Sequence, residues 1–346
     1  MDLVLLRSRV AASATWGVRT LAQLAVLLAA VAVATFALLQ ASPVDPIDAY
    51  IGAEMTALGP EQRAQIEERW GLGEPAPERF LAWAQQALQG NLGVSHVYDR
   101  PVTEVLAERL PASLALMAAA WVLSGALGFV LGVVAGASRG TWTDRVITWW
   151  AYTLSSAPTF WVALLLLYVF SVWLQWTPVC CASPIGVLPE DVTLLDRVRH
   201  MVLPVLTLSV VGVGPIALHT RQAVSETLAA DHVTMARALG ESPRGVLLRR
   251  VVRNAAAPAL MLQCASIGEL LGGSVLAEQV FSYPGIGQAT TTAALRQDVP
   301  LLLAIALATA TVVFVGNRLG DLAQHRLDPR TARSARASVR AERVHS

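Results

Sequence analysis

An acid in the middle of an apolar helix-length run is the first residue here that calls for a chemical role. Glu269 stands in Cys264-Ala265-Ser266-Ile267-Gly268-Glu269-Leu270-Leu271-Gly272-Gly273. A carboxylate is costly in hydrocarbon, so it faces a bundle interior or an aqueous path, where it meets a cation or a cationic group. The plainer alternative is a structural glutamate satisfied by polar atoms of a neighbouring helix. Ser266 and the nearby glycines allow that neighbour to come close. Glu278 and Asp298 bracket the turn cluster Pro284-Gly285-Ile286-Gly287, and read either as gate or receptor-contact residues or as helix caps and loop charges. Cys180, Cys181 and Cys264, with His96, His200 and His219, carry ligand atoms that suit a soft transition metal. No spacing puts two of them on one face, however, and the cysteines form neither a disulfide framework nor a spaced zinc site. Cys264 reads as a small core residue, His200 as an interfacial residue at a helix start, and no metal ligand is assigned.

Other chemistries are excluded by what is missing. All 26 basic residues are arginine; there is no lysine in the 346 residues. A P-loop needs its lysine at the phosphates, so the chain has no such nucleotide site of its own. Schiff-base and pyridoxal phosphate chemistry fall for the same reason. A net charge of +1 gives no case for nucleic acid. There is no H-E-x-x-H and there are no paired intramembrane aspartates, which argues against a membrane-embedded enzyme.

The elements that must position these residues are membrane helices. The chain is 54% apolar and only 15% charged, against about 25% charged in ordinary soluble domains. About 20 mostly apolar residues cross a bilayer, and six stretches qualify: 20–40, 112–137, 146–176, 200–219, 255–277 and 300–319. In the third, Pro158 removes a backbone hydrogen bond and should kink the helix. The first exceeds the 7 to 15 apolar residues usual in a signal peptide, so a retained helix is expected. With the N-terminus inside, 18 of the 26 arginines fall on inner segments, and the outer 41–111 segment holds eleven acids against five arginines. That balance places both termini on the cytoplasmic side. Within 41–111, residues 60–70 and 79–88 read as short surface helices and Gly90-Asn91-Leu92-Gly93 as a turn. Residues 331–346 read as a mobile, Arg-rich cytoplasmic tail near anionic lipid.

More than thirty inner residues, 221–254, separate the fourth and fifth spans, far more than a connection requires. Residues 221–239 can form one helix leaving the membrane, closed by Gly240 as a left-handed cap. Ser242 and Pro243 then supply an N-cap and first-turn proline for a second helix. Thr234, Met235, Ala236, Arg237, Ala238, Leu239 and Gly240 form the tip. Such a tip fits a groove on another protein, or lies on lipid with Arg249, Arg250 and Arg253 toward headgroups.

His232-Val233-Thr234-Met235-Ala236-Arg237-Ala238-Leu239-Gly240, followed by Arg253-Asn254 and Pro258, resembles the cytoplasmic "EAA" loop of permease subunits in the dipeptide/oligopeptide/nickel family of ABC transporters. The likeness runs in order from about residue 20 to 330. It includes Gly71-Leu72, Pro75, Gly90-Asn91-Leu92-Gly93, Ser95, Pro101-Val102 and Leu110-Pro111 after the first span. Ser156, Pro158, Phe160 and Leu174-Gln175-Trp176-Thr177-Pro178 match the third. Gly272-Gly273, Glu278, Phe281, Pro284-Gly285-Ile286-Gly287 and Asp298-Val299-Pro300 match the most characteristic stretch, and Leu327-Asp328-Pro329-Arg330 the end. The departures are Thr234 and Met235 where the wider signature has Glu and Ala, Leu239 at a commonly basic position, and Asn91 for aspartate.

The resemblance implies an all-α type I importer permease with TM1 at 20–40, an extracytoplasmic segment at 41–111 and a transmembrane domain at 112–330. It implies a second homologous permease, two cytoplasmic ATPase subunits that bind ATP and Mg and dock on the 234–240 tip, and an extracytoplasmic solute-binding protein. Glu269 and Ser266 would line the translocation path. The Ile267 to Gly273 run with His232-Val233-Thr234 resembles the nickel branch, so nickel or a metal chelate is the expected cargo, with di- or oligopeptides as the alternative. A secondary transporter is disfavoured, since no internal repeat or second buried acid is evident.

Overall fold

In the computed structural model, residues 2–51, 59–71, 73–188 and 190–327 are described; Leu72, the end of the Leu327-Asp328-Pro329-Arg330 match and the Arg-rich tail lie outside them. The regular elements of the described residues are helices apart from one short hairpin, and the chain forms two compact units. One comprises the residues up to Leu110 with Ala289–Phe314, the other Pro111–Gln288 with the residues from Val315 on.

In the first unit, α1 (Asp2–Gln40) carries an apolar span from Gly17 to Gln40. Three short helices follow: α2 (Pro46–Ile51), α3 (Pro60–Trp70) and α4 (Ala76–Leu88). Each begins with proline in its first turn, where the missing N–H has no helical partner to lose. Asp45 Oδ1 caps α2 by accepting from Ile47 N at 2.8 Å, and Gln62 reaches back to Gly59 N at the start of α3. Both sequence-expected surface helices are therefore present. The turn after them is closed by Gly90 and Gly93 at positive φ, with Asn91 Oδ1 accepting from Gly93 N at 3.0 Å. It opens a small hairpin of β1 (Val94–Ser95) and β2 (Arg100–Pro101), which pattern reading missed because each strand has only two residues.

The second unit is built from α5 (Val102–Ala137) from Pro111 onward, α6 (Trp142–Ser156), α7 (Thr159–Leu166) with a π-helical turn Leu167–Trp173, and α8 (Leu194–Leu228). A reentry through α9 (Asp231–Ala238) and α10 (Pro243–Val246) leads to α11 (Val252–Ala265) and α12 (Ile267–Val280). Helices α13 (Ile286–Leu295) and α14 (Val299–Leu327), whose residues divide between the two units, are the last described elements. Among the described residues, four helices are long and apolar enough to cross a membrane, or up to six spans if each of two bent pairs counts as one.

Both bends have local causes. Pro158 forces Ala157 into extended backbone, and α6 and α7 turn by 108°. The third span is thus broken, beyond the kink expected from sequence. Between α11 and α12 the bend is 52°. There the Gln263 carbonyl accepts from Trp121 Nε1 at 2.8 Å and from Ser266 Oγ at 2.8 Å, which draws it from the helical ladder.

Close packing of α5 on α8 follows from glycines four residues apart. A Cβ at Gly128 would lie 2.8 Å from Ile216 Cβ, and one at Gly136 2.7 Å from Val224 Cβ, with Gly132 equally tight against Ala217 O. This stripe lets two backbones meet without side chains between them.

Candidate transport pathway and docking elements

Residues 221–239 depart from the single helix that the sequence suggests for them. Helix α8 stops at Leu228, Ala230 is extended, and α9 starts afresh. The break turns Val233 and Ala236 back onto Val224, Val246, Val251 and Ala255, where they are buried together. Ala236 therefore anchors the tip from beneath. Met235 (66% exposed) and Leu239 (78%) stand outward, with Thr234, Arg237 and Ala238 also exposed. Gly240 adopts φ +83, and Ser242 Oγ caps α10 by accepting from Gly245 N at 3.2 Å, both as the sequence implies.

Glu269 lies in the first turn of α12, just past the bend, and is exposed in the isolated chain. It lines a cavity of about 250 Å³ with Ser155, Thr159, Pro215 and Ser266. Ser155 and Pro215 also line a second cavity of about 630 Å³, which carries Arg139, His219, Arg221 and Glu226. Sequence reading singled out Glu269 and Ser266, and named His219 only as a side chain suited to a metal; it did not bring Arg139, in the turn after α5, or Arg221, on α8, to this wall.

Arg221 is tied down. Its Nη2 donates to Asp144 Oδ2 at 2.8 Å and its Nε to Oδ1, a bidentate pair. Asp144, almost fully buried, also accepts from Gly140 N at 2.9 Å. This pair joins α6 to α8, and the only sequence signal for it is an acid in the first turn of an apolar helix.

Of the residues expected at an outer gate or receptor contact, all but Pro284 are buried. Glu278 is 0% exposed. Its carboxylate accepts from Ser113 Oγ at 2.6 Å, Gly287 N at 2.7 Å and Gln288 N at 3.2 Å, and so caps the first turn of α13. Ser113 Oγ accepts in turn from Ile286 N at 2.7 Å. Gly285 and Gly287 are buried because a Cβ on Gly287 would lie 2.5 Å from Val275 Cα, and one on Gly285 would strike Glu278 and Ser113; Pro284 is half-buried. Tyr283, beside them, has its phenol pKa pushed up by burial and then by the Glu278 charge. Asp298, also 0% exposed, caps α14 through Leu301 N at 3.2 Å, and accepts from Ser95 Oγ at 2.6 Å and Val97 N at 3.1 Å. Capping, the alternative reading of both acids, is the one the geometry supports.

The cysteine reading needs a further correction. Cys180 and Cys181 are joined by a vicinal disulfide, with Cys181 N donating to Phe281 O at 2.9 Å. Cys264 is half-buried, and a Cβ on Gly320 would lie 2.9 Å from Cys264 Cβ. Among the described residues, no three His, Cys, Asp or Glu side chains are grouped to hold a metal.

A multi-helix membrane bundle with an exposed apolar tip and no nucleotide loop is the framework of a permease. Residues 128–333 match the family described as binding-protein-dependent transport system inner membrane component, and residues 15–117 match the N-terminal component of the same systems. The chain belongs to this family of multi-pass inner-membrane permease subunits of ABC importers, and has its all-α type I permease fold. It is 34% identical over 311 residues to the di/tripeptide transport system permease protein DppB of Pseudomonas aeruginosa, covering 86% of this chain and 92% of that one. It is 30% identical over 313 residues to the oligopeptide transport system permease protein AppB of Bacillus subtilis, covering 90% and 97%. A solved chain of the MetNI methionine ABC transporter overlaps 64% of this chain and 97% of its own length, at 16% identity and a TM-score of 0.48.

Proposed function

We propose that this chain is one of two permease subunits of an ATP-driven importer of di- or oligopeptides. The names of the relatives favour peptides, so the nickel cargo expected from the Ile267 to Gly273 run gives way to the alternative. One observation carries the reading: Glu269 lines a cavity that shares Ser155 and Pro215 with one holding Arg139 and His219. Glu269 in one cavity, and Arg139 and His219 beside Glu226 in the other, suit a zwitterion, whose ammonium and carboxylate need opposite partners. On this reading residues 41–111 face outward and receive a solute-binding protein, while two partner ATPases press on Met235 and Leu239. ATP binding closes the ATPases, α9 passes on the movement, and the two bends at Ala157-Pro158 and Ser266 give the helices places to turn.

The test is ATP-dependent uptake of a radiolabelled dipeptide by proteoliposomes holding the whole complex, with nickel and nickel chelates as competing cargo. Dipeptide uptake that falls at least about tenfold in Glu269→Gln, without loss of assembly, is the expected result. Uptake of nickel alone would reject the cargo, and a normal rate in Glu269→Gln would reject the path residue.

A further inference from the structure

A separate cavity of about 130 Å³ lies wholly within the first unit, lined by the end of α1, by α3 and α4, by the hairpin and by the start of α14. Its walls are aromatic: Phe36, Trp70 and Trp83, with Phe80 stacked behind at 5.2 Å from Phe36 and 6.1 Å from Trp83. His96 lies against Trp70 with ring centres 4.0 Å apart. Two hydrogen-bond donors of lining residues, Arg79 Nε and Trp83 Nε1, are buried and find no acceptor among the described residues. Arg79 Nη2 donates to Gln40 Oε1 at 2.6 Å, a neutral partner. Among the described residues, no acidic side chain lines the cavity.

We propose that this cavity is a binding site for a small carboxylate. Buried donors without acceptors cost free energy, and a guanidinium nitrogen held away from water by aromatic walls is best satisfied by an anion. A carboxylate offers two acceptor oxygens, one for the guanidinium and one for the indole N–H. The volume sets the size. It is below the 300 Å³ or so of ordinary ligand pockets, and near that of cavities that hold a single benzene. A carboxyl group with a short side chain fits; a whole tripeptide does not. Two sources share this chemistry: the terminal carboxylate of a peptide cargo, which rests on the peptide reading above, and an aspartate or glutamate side chain of a docked receptor.

The experiment places fluorotryptophan at position 83 alone in the assembled transporter in lipid nanodiscs, and follows its fluorine NMR resonance. Sodium acetate is titrated against sodium chloride at constant ionic strength, with acetamide as the neutral isostere. Saturable movement with acetate at about millimolar Kd, silence with acetamide, and at least about tenfold weaker binding in Arg79→Gln are expected. Arg79→Lys keeps the charge and should bind more tightly than Arg79→Gln. If Arg79→Gln fails to assemble, the wild-type contrast between acetate and acetamide decides alone. A dipeptide that moves the resonance while its C-terminal amide does not assigns the carboxylate to cargo. Acetate acting with the dipeptide silent assigns it to a receptor side chain. A resonance unmoved by acetate and dipeptide leaves the cavity to water and overturns the proposal, while peptide uptake, measured separately, would stand.

Discussion

The Glu278 cap offers the sharpest test of how the two ends of the second unit are joined. Replacing Glu278 with alanine removes the acceptor of Gly287 N and Gln288 N and of Ser113 Oγ, in a place with no access to water. Each stranded backbone donor costs about 1 to 3 kcal/mol, and hydrogen bonds to a charged acceptor lie at the upper end. The carboxylate also meets the positive end of α13, worth about 0.3 to 2 kcal/mol. Together these give a loss of about 3 to 6 kcal/mol for Glu278→Ala. Glu278→Gln keeps the shape and one carbonyl acceptor, so it should cost about half as much. Because Ser113 both donates to Glu278 and accepts from Ile286, Ser113→Ala and Glu278→Ala should couple by about 1 to 3 kcal/mol in a double-mutant cycle. The assay is reversible denaturation of the purified chain in mixed micelles, read by near-UV circular dichroism. A Glu278→Ala protein within about 0.5 kcal/mol of wild type, or strictly additive effects of the two changes, would refute the bracing role.

Four further outcomes follow from the same geometry. Arg221→Met should destabilise by about 3 to 5 kcal/mol because it strands buried Asp144, whereas the double change Asp144→Leu with Arg221→Met should recover most of that loss in the same denaturation assay. Gly132→Leu should push α5 from α8 and reduce folded yield in detergent, seen by size-exclusion profile, while Gly140→Ala should act only through its φ of +83, since nothing lies near its Cβ. The pKa of His96 is lowered by burial from its ordinary 6.5, against a smaller upward pull from Asp298; its neutral form is favoured in the fold, so stability is full above pH 6.5 and falls as pH drops below it. His96→Gln should flatten that fall, measured by hydrogen exchange of residues 60–101 at a series of pH values. Met235→Asp with Leu239→Asp should leave the fold intact, since both side chains are exposed, yet abolish ATPase co-purification and peptide uptake.

The amino-acid sequence alone fixes what depends on neighbours a few residues away. Apolar length sets the spans, prolines in the first turns set the starts of α2, α3, α4 and α10, and Gly240 at positive φ sets the turn after α9. The exposed 234–240 tip and Glu269 were legible for the same reason: apolar residues just ahead of a glycine and a helix-starting proline, and a lone acid in an apolar run, are local signals. What the tertiary structure decided involves partners far apart in the chain. Ser113 and Glu278 are 165 residues apart, Ser95 and Asp298 203, and Asp144 and Arg221 77. Hydropathy and helix propensity carry no information about which distant carbonyl or carboxylate a folded path will bring within 3 Å, so two acids that look like exposed loop charges become buried caps. The break after Leu228 belongs to the same class, because a continuous helix satisfies every local preference there. Only the burial of Val233 and Ala236 against Val224, Val246 and Val251 makes the bent path the better one.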